Sequence, residues 1–288
     1  SFYCFVLCMF VLLLYTERYI LSRLSLQILP SVRHGAAENF RLFSLFSPVF
    51  CLTFNSSAPI MYLYSTKVYE KPRKRKDLSM ILSVTLNPCI DKTIYLERLQ
   101  VGAYNRVEAS RSDLAGKGLN VSTVLNNLGE DTICMGLNFR NNGSLLERTL
   151  NSRGLKHHFV YADGSIRTNI KLFDQAAHVM TEINEAGPLV SSSAIDKLID
   201  EIDARLEDTH ILVLSGSVPP GVPADIYQRL IRMAHRKDVK TVLDTAGEPF
   251  LLGLQEKPFL LKPNSMEFEQ AFKTELKAGR GPLEVARS

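Results

Sequence analysis

From residue 80 onward, short apolar runs rich in β-branched residues alternate with segments whose apolar residues recur at helical spacing. The strand-like runs cover residues 81–86, 132–137, 210–214, 240–243 and 259–261, and the helix-like segments cover residues 117–128, 143–150, 193–206, 224–234 and 266–272. Strands that alternate with helices favour a mostly parallel sheet with helices on both faces. This part of the chain therefore predicts an α/β fold in three layers.

Two further pairs of segments do not fit a sheet that is buried on both faces, because polar and apolar residues alternate along them. Residues 93–99 and 105–110 suit a half-exposed antiparallel pair. Residues 167–173 and 178–184 suit a β-hairpin with one wet face. We expect a small antiparallel lid sheet, with strands near residues 93–110 and 166–184, beside the main sheet.

Residues 1–79 differ in composition from the rest of the chain. They contain 14 of the 25 aromatic residues but one of the 16 glycines, and they carry ten Lys/Arg against four Asp/Glu. The net charge of +4 therefore comes from this segment, and it gives no indication of nucleic-acid binding. We interpret residues 1–79 as a segment outside the domain that occupies residues 80–288.

The apolar run 2–15 raises the alternatives of a membrane anchor and a signal sequence. It stops before Glu17 and Arg18, short of the ~20 residues that span a bilayer, and no basic residue precedes it. The basic run 71–76 is typical of a solvated charge cluster as well as of a targeting signal. Because the chain begins with Ser and Met80 opens the first predicted strand, we expect residues 1–79 to be translated upstream DNA.

The five cysteines show neither a CxxC pair nor the spacing of metal ligands. Isolated cysteines such as Cys89 and Cys134 are typical of small buried side chains in a reducing environment. The sequence therefore predicts a cytoplasmic protein without a disulfide framework.

Polar and glycine residues follow four of the predicted strands, at residues 87–91, 215–221, 244–247 and 262–269. In open α/β sheets, ligands bind outside the carboxyl ends of the strands, where these segments would meet. Residues 115–120, with the sequence AGKGLN, open the first predicted helix and suit the approach of an anion. Their spacing is not that of a Walker A loop. Together these segments predict a cleft that handles phosphate.

Six motifs occur in one order along the chain: NPCID, AGKGLNVS, RTNIK, SGSVPPG, LDTAG and KPNSMEFE. Together they resemble the PfkB, or ribokinase-like, family of sugar kinases over residues 80 to at least 272, and within it the 1-phosphofructokinase branch. The resemblance implies a ribokinase-like three-layer α/β/α domain with a β lid. It also implies transfer of the ATP γ-phosphoryl group to fructose 1-phosphate, with tagatose 6-phosphate and fructose 6-phosphate as alternative acceptors.

The resemblance further implies which residues bind the sugar phosphate. Asp91 matches the aspartate that binds sugar hydroxyls. Arg167 and Asn169 match the lid positions that reach the phosphate of the sugar, an anion that suits the guanidinium of Arg167. The positions that match the substrate motifs are Asp91, Gly116, Lys117, Gly118, Asn120, Arg167 and Asn169. An Asx turn would also account for Asp91, and a solvent-facing side chain would account for Arg167.

On the nucleotide side, the resemblance assigns Lys262, Asn264 and Glu267 to the ATP phosphates, and Ser215 and Gly216 to the wall of the cleft. Asn264 and Glu267 would organise Mg²⁺ indirectly, since this ion commonly keeps several water ligands. A lysine next to a helix cap would explain the same motif without a ligand.

In this family the general base is the aspartate of a late GAGD-type motif, which this sequence lacks. The glycine-rich run 278–281 contains no acidic residue, so we expect the motif and its catalytic aspartate to lie beyond Ser288. No catalytic residue is therefore assigned within this sequence. We expect residues 80–288 to be about the first two-thirds of a kinase domain, and this chain alone to be inactive.

Two questions about partners stay open at the level of the sequence. The expected partners are a sugar phosphate and ATP, without nucleic acid or membrane, and a homodimer formed through the lid is compatible with the resemblance. A membrane-anchored protein that binds a sugar or a nucleotide without catalysis remains the alternative from a different class.

Overall fold

The computed structural model of the protein describes residues 50–51 and 80–263. Its strands are β1 (Phe50–Cys51), β2 (Met80–Thr85), β3 (Cys89–Leu96), β4 (Ala109–Ala115), β5 (Thr132–Phe139), β6 (His157–Ala162), β7 (Arg167–Asp174), β8 (Val179–Asn184), β9 (Thr209–Ser215), β10 (Lys240–Asp244) and β11 (Leu260–Leu261). Its helices are α1 (Lys117–Asn127), α2 (Ser144–Ser152), α3 (Ser192–Leu206), α4 (Ile226–Arg236) and α5 (Glu248–Gln255). The helix predicted at 266–272 lies outside the described residues.

The main sheet has seven described strands in the order β1-β11-β10-β9-β2-β5-β6, and every pairing in it is parallel. Alternate residues of its central strands point to opposite faces. On one face, α1 packs against Ile81, Ile211 and Val213. On the other face, apolar residues of α2, α3 and α4 form the larger core with Leu82 and Leu212. These layers confirm the predicted α/β/α fold.

The lid is a separate four-stranded sheet in the order β4-β3-β7-β8. Its outer pairings, β3 with β4 and β7 with β8, are antiparallel, as predicted, whereas the central pairing of β3 with β7 is parallel. β3 and β7 are separated by β4, α1, β5, α2 and β6, and a connection of this length permits a parallel pairing.

The first lid pair also begins and ends at other residues than predicted. β3 starts directly after Pro88, and β4 continues to Ala115, next to the first residues of α1. The sequence therefore indicated the existence of this pair. It placed the first strand too late in the chain and the second strand too early, so that the predicted loop between them was too short. As a result, the residues that follow Pro88 belong to the lid itself rather than to a turn that precedes it.

Helix α5 was not predicted. It contains Pro249 in its first turn and Gly253 in its interior, and both residues obscure the helical pattern. Proline is nevertheless well tolerated at the first position of a helix, because no backbone N–H is needed there. None of the helices within the described residues is long and apolar enough to cross a membrane.

In the front segment, the backbone of Phe50–Cys51 pairs in parallel with β11 at the edge of the main sheet. The interpretation of residues 1–79 as a segment outside the domain stays a prediction.

Gly118 allows α1 to begin very close to the end of β2. A Cβ at this position would lie 2.4 Å from Thr85 Oγ1 and 2.6 Å from the backbone oxygen of Val84. Real Cβ atoms do not come this close to backbone oxygens, so a larger residue would push the helix away from the sheet.

We predict that Gly118→Ala lowers the free energy of unfolding by about 1–3 kcal/mol, the usual cost of overpacking a rigid site. Urea denaturation measures this change. Asn127→Ala, at an exposed position of the same helix, is the control and should change stability by less than about 0.5 kcal/mol. Equal stability of both variants would contradict the close approach of α1 to β2.

Candidate functional site

The carboxyl ends of neighbouring strands bring polar residues together at one edge of the main sheet. Thr85 of β2 pairs with Ser215 of β9, which in turn pairs with Asp244 of β10. Lys262 follows β11 directly. Helix α1 begins at the same edge, because a Cβ at Gly116 would lie 3.0 Å from Thr85 Cγ2. The segments that follow the strands therefore meet at one edge of the sheet.

Asp244 lies between two lysines at this edge. Its Oδ1 accepts a hydrogen bond of 2.9 Å from Lys117 Nζ, and Lys262 Nζ lies 3.3 Å from the same oxygen. The side chains of Asp244 and Lys262 are only 8% and 12% exposed. We refer to Lys117, Asp244 and Lys262 as the lysine–aspartate cluster.

The charge of this cluster is well defined. Burial alone would raise the pKa of Asp244, but the nearby ammonium groups of Lys262 and Lys117 outweigh burial, and the pKa is lowered. The carboxylate is therefore ionised at neutral pH, and two ammonium groups surround one carboxylate. An excess of positive charge beside the N-terminus of α1 suits a phosphate.

The loop after β9 is tied to the same cluster through its backbone. Gly216 has a φ of 99°, a left-handed conformation that favours glycine. Its N–H donates to the backbone oxygen of Asp244 at 2.9 Å, and its carbonyl accepts from Tyr227 Oη and Thr245 Oγ1. The hydroxyl of Ser215 is buried and has no hydrogen-bond partner among the described residues.

A second polar group lies on the lid. Lys171 Nζ donates to Asp91 Oδ2 at 2.8 Å, and Asn169 Nδ2 donates to Asp91 Oδ1 at 3.1 Å. The register of β3 with β7 pairs Asp91 with Asn169 and thereby produces these contacts. We refer to Asp91, Asn169 and Lys171 as the lid cluster.

Arg167 connects the lid to the main domain. Its Nη1 donates to the backbone oxygen of Glu185 at 2.7 Å, and its Nη2 donates to Ser217 Oγ at 3.1 Å. Asn87, just after β2, also reaches Ser217 Oγ, with its Nδ2 at 3.2 Å. Arg167 Nε is buried and without a hydrogen-bond partner among the described residues. The start of β7 is therefore held against the loop after β9.

The predicted site residues fall into three places in the structure. Asp91, Arg167 and Asn169 lie on the lid; Gly116, Lys117, Gly118 and Asn120 lie at the start of α1; Ser215, Gly216 and Lys262 lie at the carboxyl ends of β9 and β11. Lys117 was matched to the sugar side, but its ammonium group shares Asp244 with Lys262, which was matched to the ATP phosphates.

The remaining predicted positions lie outside the described residues. They are Asn264 and Glu267, which were matched to Mg²⁺, and Ser288, beyond which the general base was expected. The roles of Asn264 and Glu267, and the place of the base after Ser288, therefore stay predictions.

Several residues of these contacts were not singled out in the sequence. Asp244 was included only as part of the polar segment 244–247, and it was given no role of its own. Lys171, Ser217 and Asn87 were also given no individual role. Lys171 could have been found, because Arg167, Asn169 and Lys171 alternate along the RTNIK motif and must share one face of a strand.

The donors at the sheet edge suit the phosphates of ATP. Ammonium groups and a helix N-terminus bind anions, whereas residues 80–263 contain no group of three or more His, Cys, Asp or Glu side chains that could hold a metal ion. A magnesium ion bound mainly through phosphate oxygens and water fits this arrangement, because Mg²⁺ is commonly held in that way.

Residues 84–286 match the family model described as pfkB family carbohydrate kinase. The chain belongs to this family. The match covers more than half of the chain and includes both the lid and the sheet edge, so the predicted family resemblance is confirmed.

Two relatives within the family carry the name 1-phosphofructokinase. The protein of Xanthomonas campestris pv. campestris is 34% identical over 192 residues, which are 65% of this chain and 60% of the relative. The protein of Borreliella burgdorferi is 33% identical over 209 residues, which are 73% of this chain and 67% of the relative. The chain thus spans 60% to 67% of the length of these pfkB relatives.

Solved structures support the fold. Phosphofructokinase-2 from Escherichia coli, in complex with fructose-6-phosphate, has a TM-score of 0.66 and 24% identity, covering 73% of this chain and 69% of that one. Arabidopsis thaliana ribokinase, complexed with ribose and ATP, has a TM-score of 0.56 and 16% identity, covering 72% of this chain and 67% of that one. At these identities the likeness concerns the fold, and it confirms the ribokinase-like architecture.

Cys89 lies next to the lid cluster but is not a reactive thiol. Its side chain is buried, and its Sγ lies 3.4 Å from Asp91 Oδ1. Burial, followed by the negative charge of Asp91, raises the pKa of Cys89 to about 12. The thiolate that would react is therefore scarce at neutral pH.

We predict that iodoacetamide labels Cys89 very slowly at pH 8, because only about one thiol in 10⁴ is ionised when the pKa is four units higher. Peptide mapping by mass spectrometry measures the rate for each cysteine separately. The same chain in urea, where the thiol regains its ordinary pKa, is the control and should be labelled rapidly. Equal labelling in both conditions would contradict a buried Cys89 beside Asp91.

Proposed function

We propose that this chain contains the substrate-binding part of an ATP-dependent kinase that converts fructose 1-phosphate to fructose 1,6-bisphosphate. The observation that carries the proposal is that the loop 215–217 contacts both Arg167 of the lid and the lysine–aspartate cluster. Ser217 binds Arg167 of the lid, and Gly216 binds the backbone of Asp244 in the lysine–aspartate cluster. A sugar phosphate held by the lid would therefore lie close to the phosphates of ATP.

On the sugar side, the proposed roles follow from charge and from hydrogen-bond chemistry. Arg167 supplies a guanidinium for the phosphate of the substrate. Asp91 is partly exposed, so its carboxylate can accept hydrogen bonds from sugar hydroxyls. Gly116, Gly118 and Asn120, at the start of α1, would form the floor beneath the sugar.

On the nucleotide side, Lys262 and Lys117 would bind ATP phosphates, and Asn264 and Glu267 would organise Mg²⁺. Bound Mg²⁺ supplies neutralisation of charge on the phosphate oxygens. The γ-phosphoryl group would pass to the free primary hydroxyl of the sugar, whose proton goes to a general base. Since the sequence contains no GAGD-type motif for that base, we expect this chain alone to show no turnover.

The choice of substrate is supported by the names of the two relatives from Xanthomonas campestris and Borreliella burgdorferi, which are 34% and 33% identical and are both called 1-phosphofructokinase. Tagatose 6-phosphate and fructose 6-phosphate remain alternatives, because both also present one phosphate and several hydroxyls. Phosphofructokinase-2 of Escherichia coli, whose structure contains fructose-6-phosphate, is less similar, at 24% identity. We further propose that the enzyme acts in the cytoplasm, away from membranes.

Binding measurements on the 288-residue chain test the sugar side of this proposal. We predict that fructose 1-phosphate binds more tightly than tagatose 6-phosphate or fructose 6-phosphate in isothermal titration calorimetry. Arg167→Met should weaken its binding by about 10-fold or more, because a charge-assisted contact to phosphate is lost.

Arg232→Met is the matched control. Arg232 lies on α4, away from the lid, and its side chain forms an ion pair with Glu256. This substitution should leave the affinity unchanged. Absence of fructose 1-phosphate binding to the unaltered chain, or tighter binding of either alternative sugar, would contradict the proposed substrate.

The lid also supports a homodimer, as the resemblance suggested. On the face opposite Asp91, the half-buried Ile94, Ile170 and Leu172 continue into Val179 and Ile183, which are each 53% exposed. A continuous apolar strip on one face of a sheet favours a second sheet as its partner. In Escherichia coli, phosphofructokinase-2 has a form described as tetrameric.

We predict that the unaltered chain sediments as a dimer and that Ile183→Asp sediments as a monomer, because a charge would be buried in the interface. Sedimentation velocity measures both. Leu189→Asp, at an exposed apolar position outside the lid sheet, is the control and should remain dimeric. A monomeric unaltered chain, or a dimeric Ile183→Asp variant, would contradict the proposed interface.

A further inference from the structure

Lys171 shares one face of β7 with Arg167 and Asn169, because alternate residues of a strand point to the same side. β7 pairs with β3, and on this shared face Arg167 lies beside Cys89, Asn169 beside Asp91 and Lys171 beside Thr93. Asp91 and Asn169 therefore lie between two cations, one at each end of the row. Arg167 contacts Ser217 of the main domain, whereas Lys171 contacts Asp91.

The hydrogen-bonding capacity of the lid cluster differs from that of Arg167. Asn169 Nδ2 donates to the carboxylate of Asp91, which fixes the orientation of the amide and leaves its Oδ1 as an acceptor. That oxygen is buried and has no hydrogen-bond partner among the described residues, and the Asn169 residue as a whole is 8% exposed. Lys171 has three N–H donors, one of which binds Asp91.

A phosphate cannot satisfy this arrangement, because its oxygens act mainly as acceptors and would face two further acceptors. A hydroxyl can satisfy it, because it donates one hydrogen bond and accepts others. It can donate to Asp91 or Asn169 and at the same time accept from Lys171. Arg167, which offers only donors, is suited to phosphate instead.

We propose that Lys171 is a substrate-binding residue that recognises hydroxyl groups of the sugar together with Asp91 and Asn169, while Arg167 binds the phosphate. The inference rests on the proposed function, and it moves Asn169 from the phosphate side of the substrate to the hydroxyl side.

The protonation state and exposure of Lys171 are consistent with this role. Burial would lower its pKa, but the hydrogen bond and the charge of Asp91 outweigh burial, and the pKa is raised. The ammonium group therefore stays charged and keeps all three donors at neutral pH. The side chains of Lys171 and Asp91 are 25% and 21% exposed, so a ligand can reach both.

Calorimetric titration of the 288-residue chain tests the role of Lys171. The ligands are fructose 1-phosphate and its 3-deoxy and 4-deoxy analogues, which keep the phosphate and lack one ring hydroxyl each. Lys171→Met should bind fructose 1-phosphate about 10-fold more weakly, the loss expected for one charge-assisted hydrogen bond. One of the two analogues lacks the hydroxyl that Lys171 would contact. For that analogue, the difference in binding affinity between Lys171→Met and the unaltered chain should shrink to less than about 2-fold.

Lys156→Met is the matched control, because Lys156 lies outside the lid and forms an ion pair of similar length, 2.7 Å, with Asp131. The Lys156→Met variant should bind all three ligands as tightly as the unaltered chain does. Lys171→Gln, which can still donate to Asp91, replaces Lys171→Met if circular dichroism shows that the latter does not fold. An unchanged affinity in the Lys171 variants, or an equal loss for all three ligands, would overturn the inference and leave the proposed function standing. Failure of the unaltered chain to bind any of the three would overturn both.

Discussion

The buried carboxylate of Asp244 is the constraint on which the rest of the cleft depends. A carboxylate removed from water is costly unless cations and hydrogen-bond donors surround it, and here Lys117 and Lys262 supply the cations. Through these contacts one side chain joins the end of β10 to the start of α1 and to the residue after β11. Its backbone oxygen also holds Gly216. The positive charge that suits a phosphate thus arises from the same contacts that fix the loops.

The lid also depends on contacts between parts of the chain that are far apart in the sequence. β3 and β7 are neighbours in space, but β4, α1, β5, α2 and β6 lie between them in the chain. Their parallel register sets Asp91 beside Asn169, two residues that lie 78 positions apart, and it requires the crossover connection between the two strands. Arg167 then fastens the lid to Ser217. The arrangement of the lid cluster therefore depends on the pairing of distant parts of the chain rather than on a local hairpin.

Local patterns in the sequence predicted most of the strands and helices, because burial on both faces or on one stripe leaves a clear periodicity. They failed where the pattern is interrupted, as in Glu248–Gln255 with its proline and glycine. The motifs include residues of both the lid and the sheet edge, but they did not indicate the pairing of Lys117 with Asp244, which lie 127 positions apart. Such a contact depends on the order of the strands, which single-sequence patterns do not contain. Lys171 was overlooked although its alternation with Asn169 placed both on one face.

We propose that the lid binds the sugar phosphate and that the lysine–aspartate cluster binds the phosphates of ATP. A crystal structure of the 288-residue chain with fructose 1-phosphate would test this arrangement. We expect the phosphate of the sugar within hydrogen-bond distance of Arg167, ring hydroxyls at Asp91, and the free primary hydroxyl directed towards Lys117 and Lys262. A sugar phosphate bound away from the lid, or with its own phosphate on Lys117 and Lys262, would contradict this account.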